Sequence, residues 1–69
     1  MKLITVEYIK RELNRIKATT GDYETAHSME NQLHHDVLEY IAKMNPTNAA
    51  QLAGVALRSS EIDFVRHYV

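Results

Sequence analysis

Val6, Ile9, Leu13 and Ile16 recur three and four residues apart, the spacing that sets side chains on one face of an α-helix. Polar and charged residues fill the positions between them, so the pattern predicts an amphipathic helix over residues 5–19. Thr5 offers a side-chain oxygen for the N-cap, and Gly21 suits the left-handed position that closes a helix. Lys10 and Lys17 flank the apolar face, and Tyr8, Arg11 and Arg15 are expected on the opposite side, where tyrosine and arginine could anchor a partner. Glu7 and Arg11 form a four-residue pair of favourable orientation, worth about 0.3 kcal/mol.

A second and longer pattern follows. Ala26, Met29, Leu33, Val37, Tyr40, Ile41 and Met44 keep helical spacing from residue 23 to residue 44 with no glycine or proline between. Asp22 can cap this helix, Glu24 sits well in its first turn, and Asn45-Pro46 ends it. Such a helix would be roughly 33 Å long, whereas a compact chain of this length has a radius of gyration of about 11 Å. One end must therefore overhang or meet a partner. Leu38 lies well away from the apolar stripe, on a side that simple two-helix packing leaves wet. Either a second molecule covers it or a later helix does.

Pro46 suits the first turn of a third helix over 47–58, whose Ala49, Leu52, Ala53, Ala56 and Leu57 form a narrow face of small residues. Gly54 weakens that helix by roughly 1 kcal/mol relative to alanine. Ser60-Glu61-Ile62-Asp63 resembles a capping box with aspartate in place of glutamate, which predicts a break near Arg58-Ser59 and a fourth helix over 60–68. One continuous helix from 47 to 68 is the alternative, because Ala53, Leu57, Phe64 and Tyr68 also keep one face. The expected fold is all-α: one domain over residues 1–69, a small three- or four-helix bundle with one long central helix.

Composition limits what such a bundle can be. A chain of 69 residues buries only about 60% of the surface its unfolded form exposes, so the core is thin. With no cysteine, neither disulfides nor thiolate metal sites can reinforce it, and oligomerisation is the most accessible remedy. No apolar run approaches the roughly 18 residues of a membrane span, and no signal-peptide core follows Met1-Lys2, so a cytoplasmic protein without membrane association is expected.

The net charge of −1 gives no general attraction to polyanions. Its distribution is uneven. Lys2, Lys10, Arg11, Arg15 and Lys17 against Glu7 and Glu12 leave residues 1–20 at +3, and Asp22, Glu24, Glu30, Asp36 and Glu39 against Lys43 leave residues 21–44 at −4. Complementary rims on two antiparallel neighbours are the simplest reading.

Candidate chemistry is sparse. His27, Glu30 and His34 would share a helix side, but their spacing matches neither a zinc-peptidase nor a di-iron motif, and no metal site or cofactor is expected. His35 points elsewhere, and His67 sits near a helix end that favours a cation. There is no cysteine nucleophile, no Gly-x-Ser-x-Gly and no phosphate-cradling glycine loop. Glu30 and Glu61 could serve as paired carboxylates, yet nothing in the sequence places them in one pocket. The chain is not expected to be an enzyme.

Two resemblances bear on function. Val37-Leu38-Glu39-Tyr40-Ile41-Ala42, then Ala50-Gln51-Leu52-Ala53, then Ser59-Ser60-Glu61-Ile62 resemble the three helices of bacterial helix-turn-helix regulators. That resemblance, covering about half the chain, implies a DNA-facing set of Ser59, Ser60, Glu61 and Asp63, with Arg58 and Arg66 as the available cations. The chain departs from the family in lacking the usual glycine after Leu57 and any wing, and Glu61 and Asp63 would repel phosphates, so nucleic acid is a disfavoured partner. The ending Ile62-Asp63-Phe64-Val65-Arg66-His67-Tyr68-Val69 resembles the C-termini of small phage and prophage proteins, which implies a bacterial intracellular setting and an accessory role. Together these readings predict a protein–protein interaction or accessory regulatory protein that forms a homodimer or binds an unknown protein. Its contacts are expected through Leu38, Tyr40, Phe64 and Tyr68, with Tyr8, Arg11 and Arg15 as a second surface.

Overall fold

Thr5 opens the first helix. In a computed structural model that describes residues 3–65, its backbone is extended and its hydroxyl oxygen accepts from the Tyr8 N–H at 3.0 Å. One of the otherwise unpaired amides of the first turn is thereby satisfied, and α1 runs Val6–Lys17. It does not end on glycine. No glycine has a positive φ. Instead the Thr19 hydroxyl donates to the Arg15 carbonyl at 2.7 Å, the Thr19 N–H to the Ile16 carbonyl at 3.0 Å and the Thr20 hydroxyl to the Lys17 carbonyl at 3.3 Å. These bonds take up the carbonyls that a left-handed glycine would otherwise have helped to satisfy.

Asp22 caps α2 (Tyr23–Met44), its carboxylate accepting from the Thr25 N–H at 3.3 Å and from the Thr25 hydroxyl at 2.8 Å. The bond from the Thr25 hydroxyl, followed by the backbone bonds from Thr25 and Glu24, holds the Asp22 carboxyl below the usual carboxylate range. At the other end Asn45 turns left-handed, with φ 43° and ψ 55°, and its N–H still reaches the Ile41 carbonyl at 2.9 Å. Pro46 disfavours a right-handed helical residue before it, and asparagine tolerates the left-handed region better than most side chains.

α3 (Ala49–Leu57) is shorter than the expected 47–58 and leads directly into a four-residue 3₁₀ turn, Arg58–Glu61. The expected helix over 60–68 is absent through residue 65, and residues 66–68 lie outside the described residues. Ser60 does not cap a helix: its hydroxyl donates back to the Leu57 carbonyl at 3.0 Å. Ile62 is already extended, at φ −78° and ψ 124°. The single helix from 47 to 68 is excluded over the same span. Core burial explains the break. Continued helix would have set Phe64 on the Leu57 side of α3, whereas the turn buries Ile62 and returns Phe64 to the core.

The three helices pack on one another around Ile9, Leu13 and Ile16 of α1, Ala26, Leu33 and Val37 of α2, and Leu52 and Ala56 of α3, and Ile4 and Ile62 join the same core. No strand occurs among the described residues, so the architecture is an all-α bundle organised by its 22-residue central helix. The molecule measures 35 × 24 × 18 Å, and α2, about 33 Å long, spans its longest dimension. Its neighbours, of 12 and 9 residues, are too short to cover it. Met44, part of the expected apolar stripe, is consequently 53% exposed, and Tyr23 is exposed at the opposite end. Arg15 pairs with Glu12 at 3.0 Å and Lys43 with Glu39 at 3.2 Å, both within a single helix rather than between complementary rims.

Replacing Thr5 by alanine removes the α1 cap and should cost about 1 kcal/mol in urea-unfolding free energy. The stability contributed by Asp22 should be fully present above the ordinary aspartate pKa of about 3.9 and lost as pH falls through its lowered folded value. Asp22→Asn, which keeps an acceptor but cannot titrate, should flatten the acid side of the melting-temperature profile between roughly pH 5 and pH 2. An unchanged profile would contradict the cap's electrostatic role.

Candidate interaction surface

Going round α2 from its buried face, the residue after Val37 is Leu38; going round α3, the residue after Ala56 is Leu57. Each leucine therefore stands at the edge of its helix, just past the last buried position. Between them the surface is concave. Val37, Ala53 and Ala56 floor a groove of about 240 Å³, with His34 beside it and the two leucines as its walls. The alanines leave α3 low on this side, which is what makes a depression rather than a flush contact. Leu38 is 64% exposed and Leu57 66%. Burying such a side chain fully is worth about 2 kcal/mol, so the groove forgoes stabilisation that a covering surface would supply.

Asn31, His35 and Ala42 continue the exposed side of α2, and Ala50 and Gly54 that of α3, with exposed Arg58 one turn beyond Gly54. Lys43, paired with Glu39, and Asp36, accepting from Gln32 at 2.8 Å, lie on another side of α2.

A polar contact lies beside the groove. His34 Nε2 and Ser59 Oγ are 2.9 Å apart, tying the middle of α2 to the turn after α3. Ser59 is only 1% exposed. The sequence gives no direct sign of this link, and Ser59 enters it only through the disfavoured helix-turn-helix resemblance. The available signal was its spacing: seven residues after Leu52 and three after Ala56, it continues the buried face of α3.

The expected interaction residues do not come together. Leu38 is exposed at the groove, but Tyr40 and Phe64 are half-buried against the core, and Tyr68 lies outside the described residues. Tyr8 also packs on the core rather than projecting opposite it. It shares the flank of α1 with half-buried Glu12, and its long ring reaches back over the apolar face. Arg11 and Arg15 are exposed, Arg15 bound to Glu12. Leu57, expected with Ala49, Leu52, Ala53 and Ala56 on one narrow face of small residues, is the groove's second wall.

Of the DNA-facing candidates, Ser59 is buried, Ser60 is exposed with its hydroxyl held by Leu57, and Arg66 lies outside the described residues. Arg58 is exposed beside a shallow depression lined by Leu13, Lys17, Glu61 and Ile62. A 3₁₀ turn stands where a recognition helix would have to begin. Glu30 is buried and Glu61 exposed, and among the described residues no group of three or more His, Cys, Asp or Glu is placed to hold a metal ion. No described helix is long and apolar enough to cross a membrane. No family model, curated protein or solved structure matches the chain.

A double-mutant cycle on His34→Ala and Ser59→Ala should return a coupling energy of about 1 kcal/mol in urea unfolding. Additive single effects would show that the contact does not tie the two elements together.

Proposed function

We propose that this chain is a small non-enzymatic protein that works by protein–protein contact, an accessory regulatory protein of bacterial or phage type acting in the cytoplasm, and that its α2–α3 face pairs it with a second copy of itself. The carrying observation is the groove whose walls, Leu38 and Leu57, are each about two-thirds exposed. Two large aliphatic side chains on one uncharged concavity are the arrangement that a binding surface needs and a solvated surface avoids. Chain length supports the same reading, since a domain this small gains more from shared burial than a larger one would. The bacterial or phage setting rests on the resemblance of residues 62–69.

A second copy suits the face for an electrostatic reason. In a two-fold pairing every residue meets the same surface on its partner, so a patch rich in one sign of charge repels itself. Asn31, His35, Leu38, Ala42, Ala50 and Leu57 bring no lysine, arginine, aspartate or glutamate to such a contact. The duplex-binding alternative has less behind it, because its candidate segment supplies one described arginine and the acids Glu61 and Asp63.

Sedimentation equilibrium at micromolar concentration should give twice the chain mass. Leu38→Glu with Leu57→Glu should weaken pairing by about 100-fold or more while leaving helix content unchanged, because both residues are exposed. A wild-type chain that stays monomeric throughout the concentration series would overturn the reading.

A further inference from the structure

Lys10, Asn14 and Lys17 follow one another at spacings of four and three along an edge of α1, beside its buried Leu13. α3 packs against α1, and the turn that follows α3 brings Arg58 to the same edge. These side chains and Leu13 line a depression of about 280 Å³, and Leu13, Lys17 and Arg58 continue into an adjoining one of about 140 Å³ that Glu61 and Ile62 complete. The acids of α2 do not neutralise this edge, since Glu39 pairs with Lys43 of its own helix. Among the described residues, Lys10, Lys17 and Arg58 have neither an ion pair nor a side-chain hydrogen bond. Helix-end carbonyls do not hold Lys17 either, because those of Arg15, Ile16 and Lys17 accept from Thr19 and Thr20.

We propose that this cleft binds a compact phosphate-bearing anion, the phosphate or diphosphate ester of a small organic molecule, held by Lys10, Lys17 and Arg58. Three positive charges less the one negative charge of Glu61 leave the cleft at +2, which matches the charge of roughly −2 on a phosphate monoester at neutral pH. The Arg58 guanidinium presents a planar fork suited to phosphate oxygens, the two lysines add point charges from the α1 side, and the Asn14 amide supplies a further donor. Like charges held together without counter-charge repel, and a cleft concentrates their field more than a flat surface does, so a bound dianion relieves a repulsion that the fold itself creates. Leu13 and Ile62 give the floor apolar surface for the carbon part of the ester, and Glu61 an acceptor for a ligand hydroxyl. A long polyanion fits less well. The positive edge does not continue as a track, because Arg11 does not line the cleft, Arg15 is bound to Glu12, and Glu61 stands beside Arg58. This site is independent of the self-association proposed above, since the α2–α3 groove shares no lining residue with it.

Titrating inorganic phosphate, then glycerol phosphate, into the isotope-labelled full chain at neutral pH and constant ionic strength tests the site by nuclear magnetic resonance. Amide signals of residues 10–17 and 58–62 should move along saturable curves, and chloride at matched ionic strength should leave them in place. Glycerol phosphate should bind at least as tightly as phosphate. Arg58→Gln and Lys17→Gln should each raise the dissociation constant about tenfold, whereas Arg11→Gln, which removes an exposed cation outside the cleft, should leave it nearly unchanged. All three residues are exposed, so helix content should not change in any variant. Shifts that fail to saturate, or that Arg11→Gln weakens as much as Arg58→Gln does, would show general surface attraction and overturn the site. Duplex DNA binding more tightly than glycerol phosphate through these same residues would overturn the small-molecule ligand.

Discussion

Twenty-two residues of continuous helix have to be covered by neighbours of twelve and nine, and that shortfall governs the remainder of the molecule. α2 cannot shorten, because its ends are fixed locally by Asp22 and by the left-handed Asn45 ahead of Pro46. Nor can α1 and α3 reach its full length. The core therefore forms where all three overlap, around Leu13, Leu33, Val37 and Leu52, and apolar groups outside that overlap stay in contact with water. Met44 is left out by position along α2, and Leu38 by position around it.

The segment after α3 decides how the remaining apolar groups are shared. Had the chain continued as helix, Phe64 would have lain on the Leu57 side and could have covered part of the groove. The 3₁₀ turn sends Ile62 and Phe64 to the core instead, and the His34–Ser59 contact holds the turn in place. Filling the interior and exposing Leu38 and Leu57 are thus two results of one chain reversal. A thin core in a short chain makes that choice intelligible, because an aromatic ring stabilises more where it is enclosed on several sides than where it lies across a shallow surface groove.

Features set by a few adjacent residues were legible in the sequence. Thr5 and Asp22 cap the helices they were expected to cap, and the bounds of α2 agree with its apolar spacing because Asp22 at one end and left-handed Asn45 at the other set them locally. Features that depend on distant partners were not. Gly21 has the right chemistry for a helix stop, but the hydroxyls of Thr19 and Thr20 reached the free carbonyls first. Ser60-Glu61-Ile62-Asp63 has the composition of a cap, yet burial of Ser59 against a residue 25 positions away settles that region. The candidate surface was half legible for the same reason. Leu38 stood out because it breaks the α2 pattern, whereas Leu57 keeps the α3 pattern and becomes exposed only through where the helix sits on its neighbour. Tyr8 shows the limit of helical spacing as a guide to exposure, since a long side chain on a flank can still fold onto the core.

On the function proposed above, a second molecule completes the uncovered α2–α3 face. Isotope-filtered nuclear Overhauser spectroscopy on a mixture of labelled and unlabelled chains tests it most directly, because only contacts between different molecules are recorded. Intermolecular cross-peaks are expected from the methyl groups of Leu38 and Leu57. Intermolecular signals confined to other residues, with these two leucines silent in a sample where pairs are present, would contradict it.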